Sequence, residues 1–332
     1  MLTEFELIKH CFNWPQDNEY IICGVGDDAS IIQVPSGYEL VQSIDTQVAD
    51  VHFPASAPAQ LIAQRALRCA ISDLAAMGAK PQAFHLALSL PKNTSQTWLE
   101  SFSSGLRACA NEYDIPLIGG DTTSSPTLVI TLQVQGLVPV GKALTRDKAQ
   151  VGDDIWLSGE IGRSAAALKN ILATPEAFRE NDNGLAAAYY YPQAQIDLGQ
   201  KLIGLANSAM DISDGLLQDA SHIAKASHCC LNIESQSIPL NILSIEQFGQ
   251  TQALQFALRG GDDYQLLFTA PLAVRKKINN LSCYRIGSVR ELVQKIDSNS
   301  DIDIDIVSHS QEKWILLDDQ IIQNTSMGYQ HF

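Results

Sequence analysis

Residues 59–90, AQLIAQRALRCAISDLAAMGAKPQAFHLALSL, decide the fold class. The first part, residues 59–77, places apolar or small side chains on most faces of a helix, and Gly78 and Pro81 stop it. FHLALSL (84–90) is an apolar run of strand length and reads as a buried strand. A helix covered on most sides and followed at once by a buried strand belongs to an α/β or α+β architecture.

Working outward, YELVQSID (38–45) reads as a strand ending in aspartate. Downstream, the T-W-L-E beginning at Thr97 has the form of a capping box, and Leu99, Phe102, Leu106 and Cys109 follow at helical spacing. IPLIGG (115–120) is a short apolar run before Asp121, and residues 127–138 alternate from Leu128 through Ile130 and Leu132 to Val134 as a strand with one covered face. Residues 139–153 are polar and contain glycine, so the chain is divided into a first domain of residues 1–142 and a second α/β domain of residues 143–332. In the second, DIWLSG (154–159) and YQLLFTA (264–270) read as strands, and helices start near Ser164 and after DISDG. DIDIDIV (301–307) alternates strictly and reads as an exposed strand.

Composition narrows the function. The chain has 332 residues, 45% of them hydrophobic, enough for two substantial cores. A net charge of −15 repels nucleic acid and anionic lipid. No run approaches the roughly 18 apolar residues of a membrane span, and MLTEFELIKHC lacks the charge and apolar run of a secretory leader, so the cytoplasm is the expected compartment. Seven cysteines without a Cys-x-x-Cys pair read as structural thiols.

Six segments set aspartate beside or within two residues of glycine, serine or a second aspartate: GVGDDAS (24–30), QSIDTQ (42–47), AISDLAAMG (70–78), LIGGDTT (117–123), MDISDGLL (210–217) and RGGDDYQLL (259–267). Carboxylates at the ends of apolar runs suit hard cations, and magnesium takes one or two carboxylates together with substrate phosphates. A magnesium-nucleotide enzyme is therefore the first reading. Asp73 shares a helix face with Ala66, Ala70 and Met77, where its charge needs a metal ion or a salt bridge to Arg65 or Arg68. Asp211, Ser213 and Asp214 sit ahead of a helix, where they can cap it or hold a metal-bridged phosphate. GVGDDA lacks the last glycine of a dinucleotide loop, and GLVPVGKA (136–143) ends in alanine where a phosphate-binding loop needs Ser or Thr and carries a proline without an N–H in its middle. Arg146 is the better phosphate contact, since guanidinium matches phosphate oxygens in pairs. His52 stands in a loop after the SIDT strand and is either a packing or a functional residue.

Taken in order, GVGDDAS, SIDT with VADVHF, RCAISDLAAMGA, LIGGDTT, GKALTR, DISDGL, GGDDYQL and the terminal GYQHF resemble the thiamine-monophosphate kinase family over almost the whole chain. That family groups with the aminoimidazole-ribotide-synthetase-like ATP-binding superfamily, which uses no Walker motif. The resemblance implies ATP-dependent phosphorylation of thiamine monophosphate to thiamine diphosphate by direct in-line transfer. It also implies a two-domain fold whose N-terminal sheet pairs across a homodimer. By the same resemblance Asp28, Ser43, the Ile44 backbone, Asp45, Asp73, Asp121, Asp211 and Asp214 are expected to hold several magnesium ions, with Asp45, Asp73 and Asp121 central to catalysis. Gly120, Asp121, Arg146 and Ser213 match ATP positions; His52, Asp262 and Tyr329 match substrate positions. Asp262 and Gln265 depart from the family, which often has glutamate at both. Other ATP enzymes of the superfamily, or a non-catalytic magnesium-nucleotide binder, are the alternatives.

Overall fold

The computed structural model describes residues 4–14, 18–173, 184–292 and 314–321. Helix α1 (Glu4–Cys11) is followed by a two-stranded ribbon, β1 (Ile21–Cys23) and β2 (Ile31–Ile32), whose connection is the GVGDDA segment. A four-stranded sheet then forms from β3 (Tyr38–Val48), β4 (Lys80–Leu90), β5 (Leu117–Ser124) and β6 (Val129–Pro139), in the order β3-β6-β4-β5. β6 runs antiparallel to both neighbours, while β4 and β5 are parallel.

Helix α2 (Ala59–Ala76) lies against this sheet, and α3 (Gln96–Glu112) packs on α2. Leu61, Ile62, Leu67, Ile71 and Leu74 of α2 are each at most 1% exposed, which explains an apolar pattern on most faces. Each such side chain contributes about 1.5–3 kcal/mol by leaving water. Its far side meets the second half of the chain, and a side chain at Gly199 would come within 2.1 Å of the Ala75 carbonyl.

That second half contains α4 (Arg163–Ala173), α5 (Ala186–Tyr190), α6 (Ile196–Leu202) and α7 (Leu216–Ala226). Its seven-stranded sheet has the order β13-β12-β9-β11-β7-β10-β8, from β7 (Asp154–Leu157), β8 (Ser208–Asp211), β9 (Cys230–Ile233), β10 (Leu266–Ala270), β11 (Tyr284–Arg290), β12 (Ile315–Leu317) and β13 (Gln320–Ile321). Ala75 and Ala76 of α2 join Trp156, Leu266 and Phe268 in one apolar cluster, so α2 is wedged between the two sheets.

Two local expectations need correction. The cap of α3 is Ser95, whose Oγ accepts the Trp98 N–H at 3.1 Å, not Thr97. Pro81 does not precede its strand but lies inside it, at a register shift between Pro81 and Ala83 where a missing N–H is tolerated. The DIDIDIV segment and Tyr329 lie outside the described residues.

Candidate active site

Strand β3 alternates, and the alternation sorts its side chains. Leu40, Gln42, Ile44 and Thr46 are exposed on the outer face, while Ser43 and Asp45 turn toward α2. Ser43 Oγ donates to Asp73 Oδ2. One residue earlier on α2, Ser72 Oγ donates to Asp211 Oδ2 at 2.6 Å, which brings the end of β8 onto the same helix. Burial pushes the Asp73 carboxyl up, with Asp45 adding to the shift and Ser43 and Arg146 opposing it. Burial, then the nearby Asp73, pushes Asp211 up to about 7. Neither carboxylate forms a salt bridge among the described residues. The salt bridges considered for Asp73 are absent: Arg65 pairs with Asp262 and Arg68 with Glu112, each at 2.5 Å.

The turn after β8 is built around Asp219. Its Oδ2 accepts the N–H groups of Ser213, Asp214 and Gly215 at 3.0, 3.1 and 3.0 Å, fixing the loop that carries two expected site residues. Asp214 also accepts from Gln218 Nε2 at 3.0 Å. Asp214, Asp219 and His222 each bring a potential ligand atom within 4.8 Å of the others. Arg146 is exposed in a short 3₁₀ turn, Arg146–Lys148, and its charge reaches Asp73, Asp211 and His222. Burial first, and then Arg146 and Lys225, hold the His222 imidazole below its usual range.

Asp28 and Asp121 stand elsewhere. Across the sheet Thr46, Thr131, Ala87 and Asp121 form one row of paired residues, with Thr46, Ala87 and Asp121 exposed on the outer face. The neighbouring row, Asp45, Leu132, Leu86 and Gly120, spans three strand spacings, about 14 Å. Asp121 and Asp45 thus occupy opposite faces and opposite edge strands of the sheet. Asp28, with Asp27, Ser30, His85 and Gly120, lines a cleft of about 790 Å³ beside Asp121. Gly120 has φ +157, and a Cβ there would lie 1.9 Å from the Leu86 carbonyl, so only glycine lets β5 approach β4 this closely.

His85 ties that cleft together. Its Nδ1 lies 2.8 Å from Gln133 Oε1, and its Nε2 lies 2.9 Å from Ser30 Oγ. Since the amide oxygen can only accept, Nδ1 is the donor to Gln133, and Nε2 pairs with the Ser30 hydroxyl. His52 is held by Val48, whose N–H donates to Nδ1 at 3.0 Å. Asp262, at φ +68, has its N–H on the Ser213 carbonyl at 2.9 Å, so the GGDDY and DISDG segments touch. Gln265 Oε1 accepts from Ser158 Oγ at 2.6 Å.

Sequence reasoning missed Asp219, His222 and His85. Asp219 and His222 were open to it: both stand on the helix after DISDG, three residues apart and hence on one face. His85 carried no local signal, because its partners come from β6 and the β1–β2 connection.

This architecture defines an AIR-synthase-related class: the AIR synthase related protein, N-terminal domain, matches residues 26–138. The chain is 40% identical over 297 residues to a thiamine-monophosphate kinase of Haemophilus influenzae, covering 87% of this chain and 90% of that one. It belongs to the thiamine-monophosphate kinase family. Among solved structures, the enzyme of Stenotrophomonas maltophilia K279a superposes with a TM-score of 0.79 at 36% identity, covering 92% of this chain and 93% of that one. AaThiL complexed with AMPPCP and TMP superposes with a TM-score of 0.77 at 28% identity, covering 90% and 89%. No helix among the described residues is long and apolar enough to cross a membrane.

Proposed function

We propose that this protein transfers the γ-phosphoryl group of ATP to thiamine monophosphate, forming thiamine diphosphate and ADP in the cytoplasm. The observation that carries this reading is the gathering of Asp45, half-buried Asp73 and buried Asp211 beside Arg146, without a salt bridge to either of the last two carboxylates among the described residues. Hard oxygen donors in that setting fit magnesium. Asp28, Ser43, the Ile44 carbonyl, Asp45, Asp73, Asp121, Asp211 and Asp214 would hold several ions, which when bound offset the charge of the phosphates. Ile44 can contribute only through its backbone, because its aliphatic side chain, 68% exposed on the outer face, has no donor atom.

The chain's own groups do the positioning. Arg146 and the Ser213 hydroxyl bind the nucleotide phosphates, and Gly120 lets the nucleotide lie close to the β5 backbone. His52, Asp262 and Tyr329 bind thiamine monophosphate. A phosphate oxygen of thiamine monophosphate then attacks the γ-phosphorus in line as the bond to the ADP oxygen breaks. No protein nucleophile is needed, because alignment and charge stabilisation carry phosphoryl transfer.

Residues 1–142 and 143–332 act as two domains, and the protein works as a homodimer. The outer face of the four-stranded sheet exposes Leu40 and Ile44, and its edges carry Asp45 and Asp121 on opposite sides. A second copy whose sheet pairs with this one to close a barrel covers that face and brings Asp121 of the partner subunit, on its β5 edge, to the β3 edge that carries Asp45. Phosphorus-31 NMR of the protein with ATP, magnesium and thiamine monophosphate tests the reaction: thiamine diphosphate and ADP should appear together, and only with the monophosphate rather than thiamine as acceptor. ADP with free phosphate, or no turnover by folded protein, would overturn it.

A further inference from the structure

Arg65 is the unexplained charge of α2. It is 2% exposed in a helix whose buried side chains are mostly aliphatic, and, among the described residues, its Nε has no hydrogen-bond partner. Burying a guanidinium and leaving one of its N–H groups unmatched is a poor route to stability, since an apolar side chain would serve the packing better. Its remaining groups are committed. Nη2 donates to Asp262 Oδ1 at 2.5 Å, and Nη1 donates to the Tyr189 carbonyl at 2.8 Å. The guanidinium also lies over the Tyr189 ring, 3.9 Å from its centroid. Tyr189 in turn donates its hydroxyl to the His52 carbonyl at 2.7 Å, and the Tyr264 hydroxyl reaches the same Asp262 oxygen at 3.3 Å.

We propose that Arg65 is the positioning residue of the acceptor side, holding Asp262 directly and the His52 loop through Tyr189. This rests on reading His52 and Asp262 as contacts to thiamine monophosphate. Asp262 needs such a hold, because it stands at φ +68 in a segment that is otherwise a loop, with no helix or strand of its own to fix its side chain. The length of the pair is also matched: the reach of arginine meets the short carboxylate, so an aspartate serves here where a longer glutamate would crowd the guanidinium. With its charge balanced by Arg65, Asp262 presents its other oxygen, Oδ2, to the substrate as a directed hydrogen-bond acceptor.

The test is steady-state kinetics of Arg65→Lys, Asp262→Glu and the double variant, with Tyr189→Phe as a variant that leaves the ion pair intact. Lysine keeps the charge but cannot engage both partners with a planar fork. Each single change of the pair should raise KM for thiamine monophosphate about tenfold with KM for ATP within about twofold of wild type. The double variant should recover most of that loss, because the shorter cation and longer anion again meet. Tyr189→Phe should raise the same KM about threefold. An unchanged KM for thiamine monophosphate in folded Arg65→Lys and in Tyr189→Phe, or equal rises in both KM values, would overturn the proposal while wild-type turnover still upheld the kinase reading. Wild-type protein inactive with thiamine monophosphate would overturn both.

Discussion

The two faces of the four-stranded sheet hold their carboxylates under different conditions. On the α2 face Asp211 is buried and Asp73 half-buried, each receives a serine hydroxyl, and burial raises both. On the outer face Asp121 is exposed and lines the cleft that Asp28 also lines. The seven-stranded sheet shows what an enclosed aspartate looks like when its role is structural: Asp154 accepts from Arg275 at 2.7 Å and from Arg285 at 2.8 Å. On the reading proposed above, the absence of such partners at Asp73 and Asp211 among the described residues leaves their charge for a ligand, and the exposed Asp121 is half of a site.

The sharpest way to break this contrast is Asp73→Asn. Turnover should fall about a thousandfold or more, whereas the metal-free melting temperature should rise or stay level, because the change relieves an enclosed charge. Near-normal turnover would remove Asp73 from the site. Asp219→Ala frees three N–H groups and loosens the Ser213–Asp214 loop, and kcat should drop about a hundredfold with the fold retained by circular dichroism. On the outer face, Ser30→Ala cuts the tie between the GVGDDAS segment and His85, and KM for ATP should rise about fivefold with a smaller effect on kcat.

The smallest effect concerns stability alone. Asp263 accepts the N–H groups of Gly162 at 2.6 Å and Ser164 at 3.2 Å, and burial pushes its carboxyl up to about 7. The folded protein therefore keeps a proton that the unfolded chain has released at about pH 4. This contribution is complete below the unfolded value and is lost as pH rises through about 7, with a slope of at most about 1.4 kcal/mol per pH unit. Asp211 acts in the same direction. Melting temperature in chelator should fall from pH 5 to pH 8, and Asp263→Asn should flatten that fall in part.

Much of the scaffold was legible because it rests on local pattern. The α2 run and the β6 alternation mark elements whose burial repeats with helical or strand period. The start of α3 was misplaced because Thr97 and Ser95 are both capping residues, and only the backbone decides which accepts the Trp98 N–H. The candidate site was legible as a set of aspartate segments but not as an arrangement. Arg65 and Asp262 are 197 residues apart, and nothing near either names the other. Likewise, the separation of Asp121 from Asp45 follows from strand order, which residue spacing does not encode.

Completion of the site by two copies is tested most directly by mixing inactive variants. Asp45→Asn and Asp121→Asn, each inactive alone, would be refolded together and the hybrid dimers confirmed by differently tagged chains. If the two carboxylates of one site come from different subunits, each hybrid regains one intact site, and the mixture should recover about a quarter of wild-type turnover. A mixture containing hybrids yet as inactive as its parents would contradict the account.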